Sequence, residues 1–177
     1  ELFLEKGYEG TSMNDLVEHM GIHRRSLYDT FGDKHSLFMK VLDVFGDYMQ
    51  AELMNEALRA GTAKQSIKFV FDRVIEGVWN TENRFGCLFV NSSTELAPRD
   101  AEVKEKAEKA FTQTEHFLKK LIKRGQQEGE IKAEYDAEVL SEYLHNTLLG
   151  IRVLIRNSAC KEKLYRIAEF SLLILDN

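Results

Sequence analysis

The chain has 177 residues, of which 44% are hydrophobic and 30% are charged, and its formal net charge is −5 at pH 7. This length supports a substantial hydrophobic core, whereas the negative net charge argues against a general polyanion binder. With two cysteines, no visible signal peptide and no apolar run of membrane-spanning length, we expect neither a disulfide framework nor a membrane protein, and the cytoplasm is the expected compartment.

Helical periodicity runs through most of the chain. Only one proline, Pro98, is present to interrupt helices. No stretch alternates apolar and polar residues for long enough to predict a strand. The sequence therefore predicts an all-α fold, with neither a repeat nor a low-complexity segment.

A short helix with clear boundary residues is predicted after residue 12. Ser12 is suited to cap this helix, and Asp15 stands three residues later, in the capping-box position. Gly21 is suited to end it, because a left-handed backbone conformation costs glycine little. The apolar positions at helical spacing are Met13, Leu16, Val17 and Met20.

A second short helix is predicted to begin near His23, directly after this turn. Its Leu27 turns inward, whereas its N-terminal end presents polar and basic residues to solvent. Two short helices joined in this way form a helix-turn-helix, whose second helix enters the DNA major groove with its N-terminus first. The exposed N-terminal residues are His23, Arg24, Arg25 and Ser26.

Four segments carry a resemblance to a known family. They are GYEGTSM at 7–13, MGI at 20–22, SLYDTF at 26–31 and DKHSLF at 33–38. In this order and at these spacings they resemble the DNA-binding domain of the TetR family of bacterial repressors. The resemblance covers the first quarter of the chain closely. Further on, GCLFVNSSTELAPRD and LLGIRVLIRNSA are similar to segments of many family members.

The chain departs from the family pattern near its recognition helix. His23 stands where the family often has a small hydroxyl residue, and Thr30 stands where it often has His or Tyr. Both positions lie near DNA in the family, so they leave the operator sequence open. The chain also begins at ELFLEKGYEG, where the family has a longer first helix. We expect the front of this helix, with a basic arm, to precede the present sequence.

The resemblance implies that this end of the chain binds double-stranded DNA. We expect Arg24 and Arg25 to reach guanine O6 and N7, since a guanidinium can donate two hydrogen bonds there. Paired arginines are also typical of a solvated helix face, but the helix-turn-helix favours DNA contact. The Tyr28 ring could also fill the core of this domain. The residues expected to contact phosphates or to lie near DNA are Thr11, Ser12, His23, Ser26, Tyr28, Thr30 and Lys34.

Beyond Lys34 the sequence predicts one long helix and five further helices. The long helix, apolar on one side from Leu37 to Leu53, should bridge a DNA-binding domain at 1–45 and a larger domain at 46–177. Asp33 is its expected N-cap. The other helices are expected at about 67–79, 87–96, 100–122, 136–157 and 161–175, with Gly61, Gly125 and Gly129 at helix ends.

The last two predicted helices are apolar on more than one side. A surface helix of a monomer needs one apolar stripe, so the second face indicates contact with another chain. The pattern fits a homodimer held by a four-helix bundle, as TetR-like proteins form, and a two-fold dimer implies a palindromic operator. The alternative is that both helices lie at the centre of a monomer. The expected interface residues are Leu148, Ile151, Leu154, Ile155, Leu164, Ile167, Phe170, Ser171 and Ile174.

The resemblance also implies a small-molecule pocket in the larger domain, whose occupation favours a dimer that no longer fits the operator. Polar or aromatic residues within apolar stripes are the better candidates for its lining, although apolar helix faces are usually core. Aromatic walls with few polar groups suit a hydrophobic or aromatic effector. The candidates are Trp79, Cys87, Phe89, Asn91, Phe111, Thr114, Glu115, Tyr143 and Thr147.

Other functions stay open at this point. Cys87 stands at a predicted helix N-terminus, where the dipole favours a thiolate, so it could sense oxidants or electrophiles; a small buried residue is the simpler interpretation. A helical ligand-binding protein without DNA binding is a second alternative, against which Arg24 and Arg25 argue. An enzyme is a third, but the sequence has no phosphate-binding glycine loop and no metal motif, and we expect no cofactor. An activator would share the same DNA-binding domain.

Overall fold

The structure, a computed structural model, describes residues 1–79, 86–157 and 159–176, except for the side chains of residues 78 and 79. The regular elements in these ranges are all helical, which confirms the all-α prediction. None of them combines the length and hydropathy needed to cross a bilayer. The elements are α1 (Leu2–Lys6), α2 (Met13–Met20), α3 (Arg24–Phe31), α4 (Lys34–Tyr48), a π-helical segment (Met49–Met54), α5 (Asn55–Arg59), α6 (Ala63–Trp79), α7 (Leu88–Glu95), α8 (Ala101–Gln127), α9 (Ala137–Arg156), α10 (Lys161–Leu172) and a 3-10 turn (Leu173–Leu175).

The first three helices and the first half of α4 form a small bundle, called here the head. Its core is built on Phe3, Leu27 and Phe38, and the rings of Phe3 and Phe38 meet edge to face with centroids 4.9 Å apart. At the start of α2, the Asp15 N–H donates to Ser12 Oγ and the Ser12 N–H donates to the Asp15 carboxylate. The predicted capping box is therefore present.

The turn between α2 and α3 determines how α3 projects from the head. Gly21 has a φ of 63°, a left-handed conformation that side-chain-bearing residues rarely adopt. Its N–H donates to the carbonyl of Glu18, and Ile22 then packs against the head core. Glycine at this position ends α2 and lets α3 begin at once, with its first residues exposed.

One continuous helical rod links the head to the remainder of the chain, called here the body. The rod runs through α4, the π-helical segment and α5. A helix is what the sequence predicts there, but the wider π-helical winding at Met49–Met54 is a finding of the structure. That segment contains neither glycine nor proline, so no residue type signals it. π-helical turns are rare and occur frequently at functional sites.

The body packs α6, α8 and α9 around one apolar core, with α10 against α6 and α9. Ile67, Phe71, Leu118 and Leu144 are among its fully buried side chains. Burying each such side chain stabilises the fold by about 1.5–3 kcal/mol. The body is therefore a well-packed support for the surfaces that face outward from it.

Gly125 lies inside α8, so the prediction that it ends the helix is wrong. A Cβ at this position would come within 2.7 Å of Ile131 Cδ1 and 2.9 Å of Ala63 Cβ. These contacts are too short for real atoms. Glycine is therefore needed here because α8 passes close to the start of α6.

Several residues predicted to form a dimer interface lie inside the core of the single chain. Leu148 and Ile151 are fully inaccessible and pack in the core of the body. A side chain that is already enclosed by its own chain has no surface to offer a second chain. The prediction is therefore corrected for Leu148, Ile151, Ile155, Leu164 and Ser171, which are all buried.

A different stripe, formed by α9, α10 and the 3-10 turn that follows α10, faces solvent. Phe170 is 76% exposed and Val139 is 62% exposed, values that are high for large apolar side chains. Of the predicted residues, Phe170 and Ile174 are exposed there, whereas Leu154 and Ile167 are half-buried at its edge and also pack against the core of the body. The stripe, called here the outer face, consists of Val139, Tyr143, Val153, Leu154, Ile167, Phe170, Leu173 and Ile174.

Candidate functional site

The exposed N-terminal end of α3 carries two arginines in different environments. The Arg25 side chain is 92% exposed, and its Nε lies 3.6 Å from Asp29 Oδ2 one turn later. Arg24 is restrained, because its guanidinium donates to Asn14 Oδ1 at 3.3 Å and to the Tyr28 hydroxyl at 3.4 Å. Arg25 is thus the more available of the two to an approaching partner, and Arg24 is the better positioned.

Most of the other predicted DNA-contacting residues lie on the surface around this end of α3. Ser12 is exposed, although its hydroxyl is engaged with Asp15 in the capping box. Hydrogen bonds from Lys6 and Ser12 hold the pKa of the Asp15 carboxyl below its usual value, so the box stays ionised. The exposed predicted residues are Ser12, His23, Arg24, Arg25, Ser26, Tyr28 and Thr30.

Thr11 is placed differently from the prediction. Its side chain is fully buried, and its hydroxyl donates to the carbonyl of Gly7 at 2.6 Å. The hydroxyl therefore holds the end of α1 against α2, and the prediction that Thr11 contacts phosphate is corrected. Lys34 is half-buried, and its Nζ donates to the carbonyls of Tyr8 and Thr11 at 2.9 and 3.0 Å. It lies on the head surface but is already occupied by these backbone oxygens.

A cavity of about 520 Å³ lies between the head and the body. A volume of this order is typical of sites for small organic ligands. Both domains contribute to its walls, since Leu4 and His19 come from the head, whereas Val74 and Ile155 come from the body. The described residues that line it are Glu1, Leu4, Glu5, His19, Phe45, Tyr48, Met49, Glu52, Leu53, Arg73, Val74, Gly77, Gly86, Cys87, Arg152 and Ile155.

Few of the predicted pocket residues line this cavity. Among the candidates whose side chains the structure describes, Cys87 alone does so, and it is buried there. Phe89, Phe111 and Thr114 line a neighbouring cavity of about 30 Å³, together with Cys87. Whether Cys87 acts as a thiol sensor stays a prediction.

The remaining pocket candidates lie elsewhere. Tyr143 is exposed on the outer face, and the Thr147 hydroxyl donates to the Tyr143 carbonyl. Neither residue lines either of these two cavities, which corrects their assignment to the pocket. Asn91 is half-buried beside Gly86, which lines the large cavity. Glu115 pairs with a histidine between α8 and α9. The side chain of Trp79 lies outside the described residues.

The pair formed by Glu115 and His145 is partly enclosed in the body. Glu115 Oε1 and His145 Nδ1 are 2.8 Å apart, and the histidine is only 2% exposed. Burial lowers the pKa of His145 below its ordinary value, even though the Glu115 carboxylate favours the protonated ring. Among the described residues, its Nε2 atom has no hydrogen-bond partner.

Arg152 is a cavity residue that the sequence interpretation missed. It lines both cavities and is only 6% exposed. The sequence did contain a signal for it. This arginine interrupts the apolar stretch LLGIRVLIR, and burying a charge there is unfavourable unless a partner compensates it.

Helix α7 connects the large cavity to the head. Its N-cap is Cys87, which lines the cavity, and its last residue is Glu95, whose carboxylate contacts the head. Glu95 accepts hydrogen bonds from the backbone N–H groups of Tyr8 and Glu9, at 3.0 and 2.8 Å. A displacement of α7 at the cavity would therefore move the backbone at Tyr8 and Glu9, directly after α1.

Substitution of Glu95 by alanine is expected to loosen the head locally. It removes two charge-assisted hydrogen bonds, which should lower the free energy of local opening by about 1–3 kcal/mol. Hydrogen exchange at the Tyr8 and Glu9 amides should accelerate accordingly. Glu105→Ala, at an exposed position of α8, is the matched control. Equal exchange rates in the two variants would show that Glu95 does not anchor the head.

Two family models match the chain. The model described as bacterial regulatory proteins, tetR family, matches residues 1–41. The model described as tetracyclin repressor-like, C-terminal domain, matches residues 49–170. Together they account for both the head and most of the body.

Curated relatives match nearly the full length. The chain is 32% identical to the HTH-type transcriptional regulator YezE of Bacillus subtilis (strain 168), over 99% of this chain and 91% of that protein. It is 28% identical to the HTH-type transcriptional repressor ComR of Escherichia coli (strain K12), over 95% of this chain and 80% of the repressor.

Solved structures share the fold. A TetR family regulator from Agrobacterium tumefaciens superposes with a TM-score of 0.90 at 16% identity, covering 99% of this chain and 92% of the other. The TetR family regulator CifR, complexed with 26 bp double-strand operator DNA, gives a TM-score of 0.85 at 24% identity and covers 97% and 89%. At these identities the likeness shows the arrangement of helices.

Proposed function

Because the chain belongs to the TetR family of bacterial transcriptional regulators, we propose that it is a repressor that binds a palindromic operator as a homodimer and releases it when a small molecule occupies the large cavity. The observation that carries this proposal is the position of the cavity, whose walls come from both the head and the body. A ligand there acts directly on the angle between the two.

The exposed end of α3 supports DNA binding by the head. Its arginines lie beside the N-terminus of the helix, where backbone N–H groups are free to meet phosphates. Local positive charge of this kind suffices for specific binding, so the net charge of −5 is no obstacle. We assign base contact to Arg25 and Arg24, and backbone contact to the surrounding polar residues.

The outer face supports a homodimer. Phe170 and the other apolar residues of α9 and α10 expose a continuous stripe, and such a stripe usually marks an interface. Two copies of this face form a four-helix bundle around a two-fold axis. The two α3 helices then fit successive major grooves if they lie about 34–36 Å apart.

Release of DNA follows from the different affinities of the ligand for two head positions. A ligand that fits the cavity better when the head is displaced favours dimers whose α3 helices miss the groove spacing. Helix α7 and the π-helical segment both border the cavity and both lead to the head, so they are the elements that would transmit the change.

Selection of bound sequences from random double-stranded DNA tests this function. We expect the recovered sequences to be inverted repeats with two half-sites, and the protein to protect both half-sites equally. Recovery of no preferred sequence would contradict the proposal and leave a ligand-binding protein without DNA recognition. Members of this family regulate transcription and are not enzymes, so the function is tested by DNA binding rather than by a catalytic assay.

A further inference from the structure

Arg152 is an enclosed cation that has no partner among the residues the structure describes. The side chain is 6% exposed and lines both cavities. Within the described part of the chain, no carboxylate lies within 4.0 Å of its guanidinium and no hydrogen bond satisfies it. Removing an arginine from water without such partners is unfavourable. The position therefore needs a compensating interaction that the described residues do not supply.

Other partly enclosed cations show what such an interaction looks like. Arg124 donates to the carbonyl of Gly61 at 3.0 Å and to Ser66 Oγ at 3.1 Å. Lys161 lies 2.7 Å from the Glu76 carboxylate. Arg152 is more deeply buried than either of them, yet it lacks both kinds of partner. The Arg152 guanidinium therefore remains available to pair with a bound ligand.

The rest of the cavity is suited to an apolar body. Phe45, Met49, Leu53, Val74 and Ile155 line it, and most of the exposed lining is apolar. The acidic lining residues are exposed to solvent rather than enclosed. A ligand would therefore meet a cation in the interior, an apolar middle and carboxylates toward solvent.

We propose that the cavity binds an amphipathic organic anion, whose carboxylate or sulfonate pairs with Arg152 while its aromatic or aliphatic part fills the apolar space. This inference rests on the proposed function, because it names the chemical class of the effector. It also adds an anionic group to the expected hydrophobic or aromatic effector. The guanidinium donates two parallel hydrogen bonds to the anion, which gives both affinity and orientation.

Two dyes that differ by one charged group test the inference on the full chain. 1-Anilinonaphthalene-8-sulfonate carries a sulfonate, and N-phenyl-1-naphthylamine has the same rings without it. Fluorescence titration should show one bound sulfonate dye per chain, with a dissociation constant at least about tenfold below that of the neutral dye. In Arg152→Met this preference should vanish, while the affinity for the neutral dye stays within about threefold.

Two further variants guard against a purely structural role. Arg152→Lys keeps the charge and should retain part of the preference. Arg73→Met removes a cation from the same cavity, but one whose Nε already lies 3.8 Å from Glu56, and it should leave the preference unchanged.

Without dye, Arg152→Met should melt no lower than the wild type, since the unpaired charge is gone; a lower melting temperature would mark Arg152 as structural.

The outcomes separate the two proposals. Equal affinity for both dyes in the wild type, or a preference that persists in Arg152→Met, would overturn the anion site but leave sequence-specific DNA binding untouched. Failure of both dyes to bind would overturn it as well. Loss of operator selection, with the dye preference intact, would instead remove the repressor function and keep the anion site.

Discussion

Replacing Arg25 with alanine is expected to weaken operator binding by the dimer by about 2–6 kcal/mol, since each half-site would lose a contact worth about 1–3 kcal/mol. The side chain is 92% exposed and has only a surface ion pair with Asp29, so its removal leaves the head folded. Affinity for random DNA should fall much less, because non-specific binding depends mainly on total charge. Specificity at the contacted base pair should relax at the same time.

Fluorescence anisotropy on the selected operator and on a scrambled duplex, at several salt concentrations, measures both effects. Arg59→Ala is the matched control, because it removes the same charge from an exposed position at the end of α5, the last element of the helical rod. If Arg25→Ala and Arg59→Ala lower operator affinity equally, the assignment of base recognition to α3 is wrong.

Phe170→Asp is expected to convert the dimer into monomers. Phe170 is 76% exposed, so the isolated chain tolerates the change, whereas the proposed bundle buries two copies of this ring. Losing about 1.5–3 kcal/mol per ring raises the dissociation constant at least about a hundredfold, and the two new carboxylates add repulsion. Since two half-sites are no longer joined, operator binding should fall together with dimerisation.

Light scattering coupled to gel filtration measures this change directly. Val44→Asp introduces the same charge at an apolar residue that is 69% exposed but lies on α4 rather than on the outer face. It should leave the molar mass at twice that of the chain. A wild-type protein that elutes as a monomer at micromolar concentration would contradict the interface itself.

The sequence contains enough local information to predict the head. The capping box at Ser12 and Asp15, the left-handed Gly21 and the inward Leu27 each follow from a residue type at a fixed spacing. Thr11 was the exception. Its hydroxyl is suited to a phosphate contact, but only the packed head shows that Gly7 supplies the acceptor.

The body was harder to predict, because α9 is apolar on several sides. Periodicity then cannot tell the side that enters the core, with Leu148 and Ile151, from the side left exposed, with Val139 and Val153. The cavity was missed for a related reason. It forms between elements far apart in the chain, and no single helix carries a pattern that marks it.

Head and body share the walls of the large cavity, and this arrangement limits how the protein can diverge. Under the proposed mechanism, a substitution that adapts the cavity to a new compound would also change the resting angle of the head, and with it the basal expression of the controlled gene. By thermodynamic linkage, operator DNA must lower the protein's affinity for the compound by the same factor as the compound lowers its affinity for the operator. Tight binding of the operator and sensitive release by the compound therefore place opposing demands on the side chains that line the cavity.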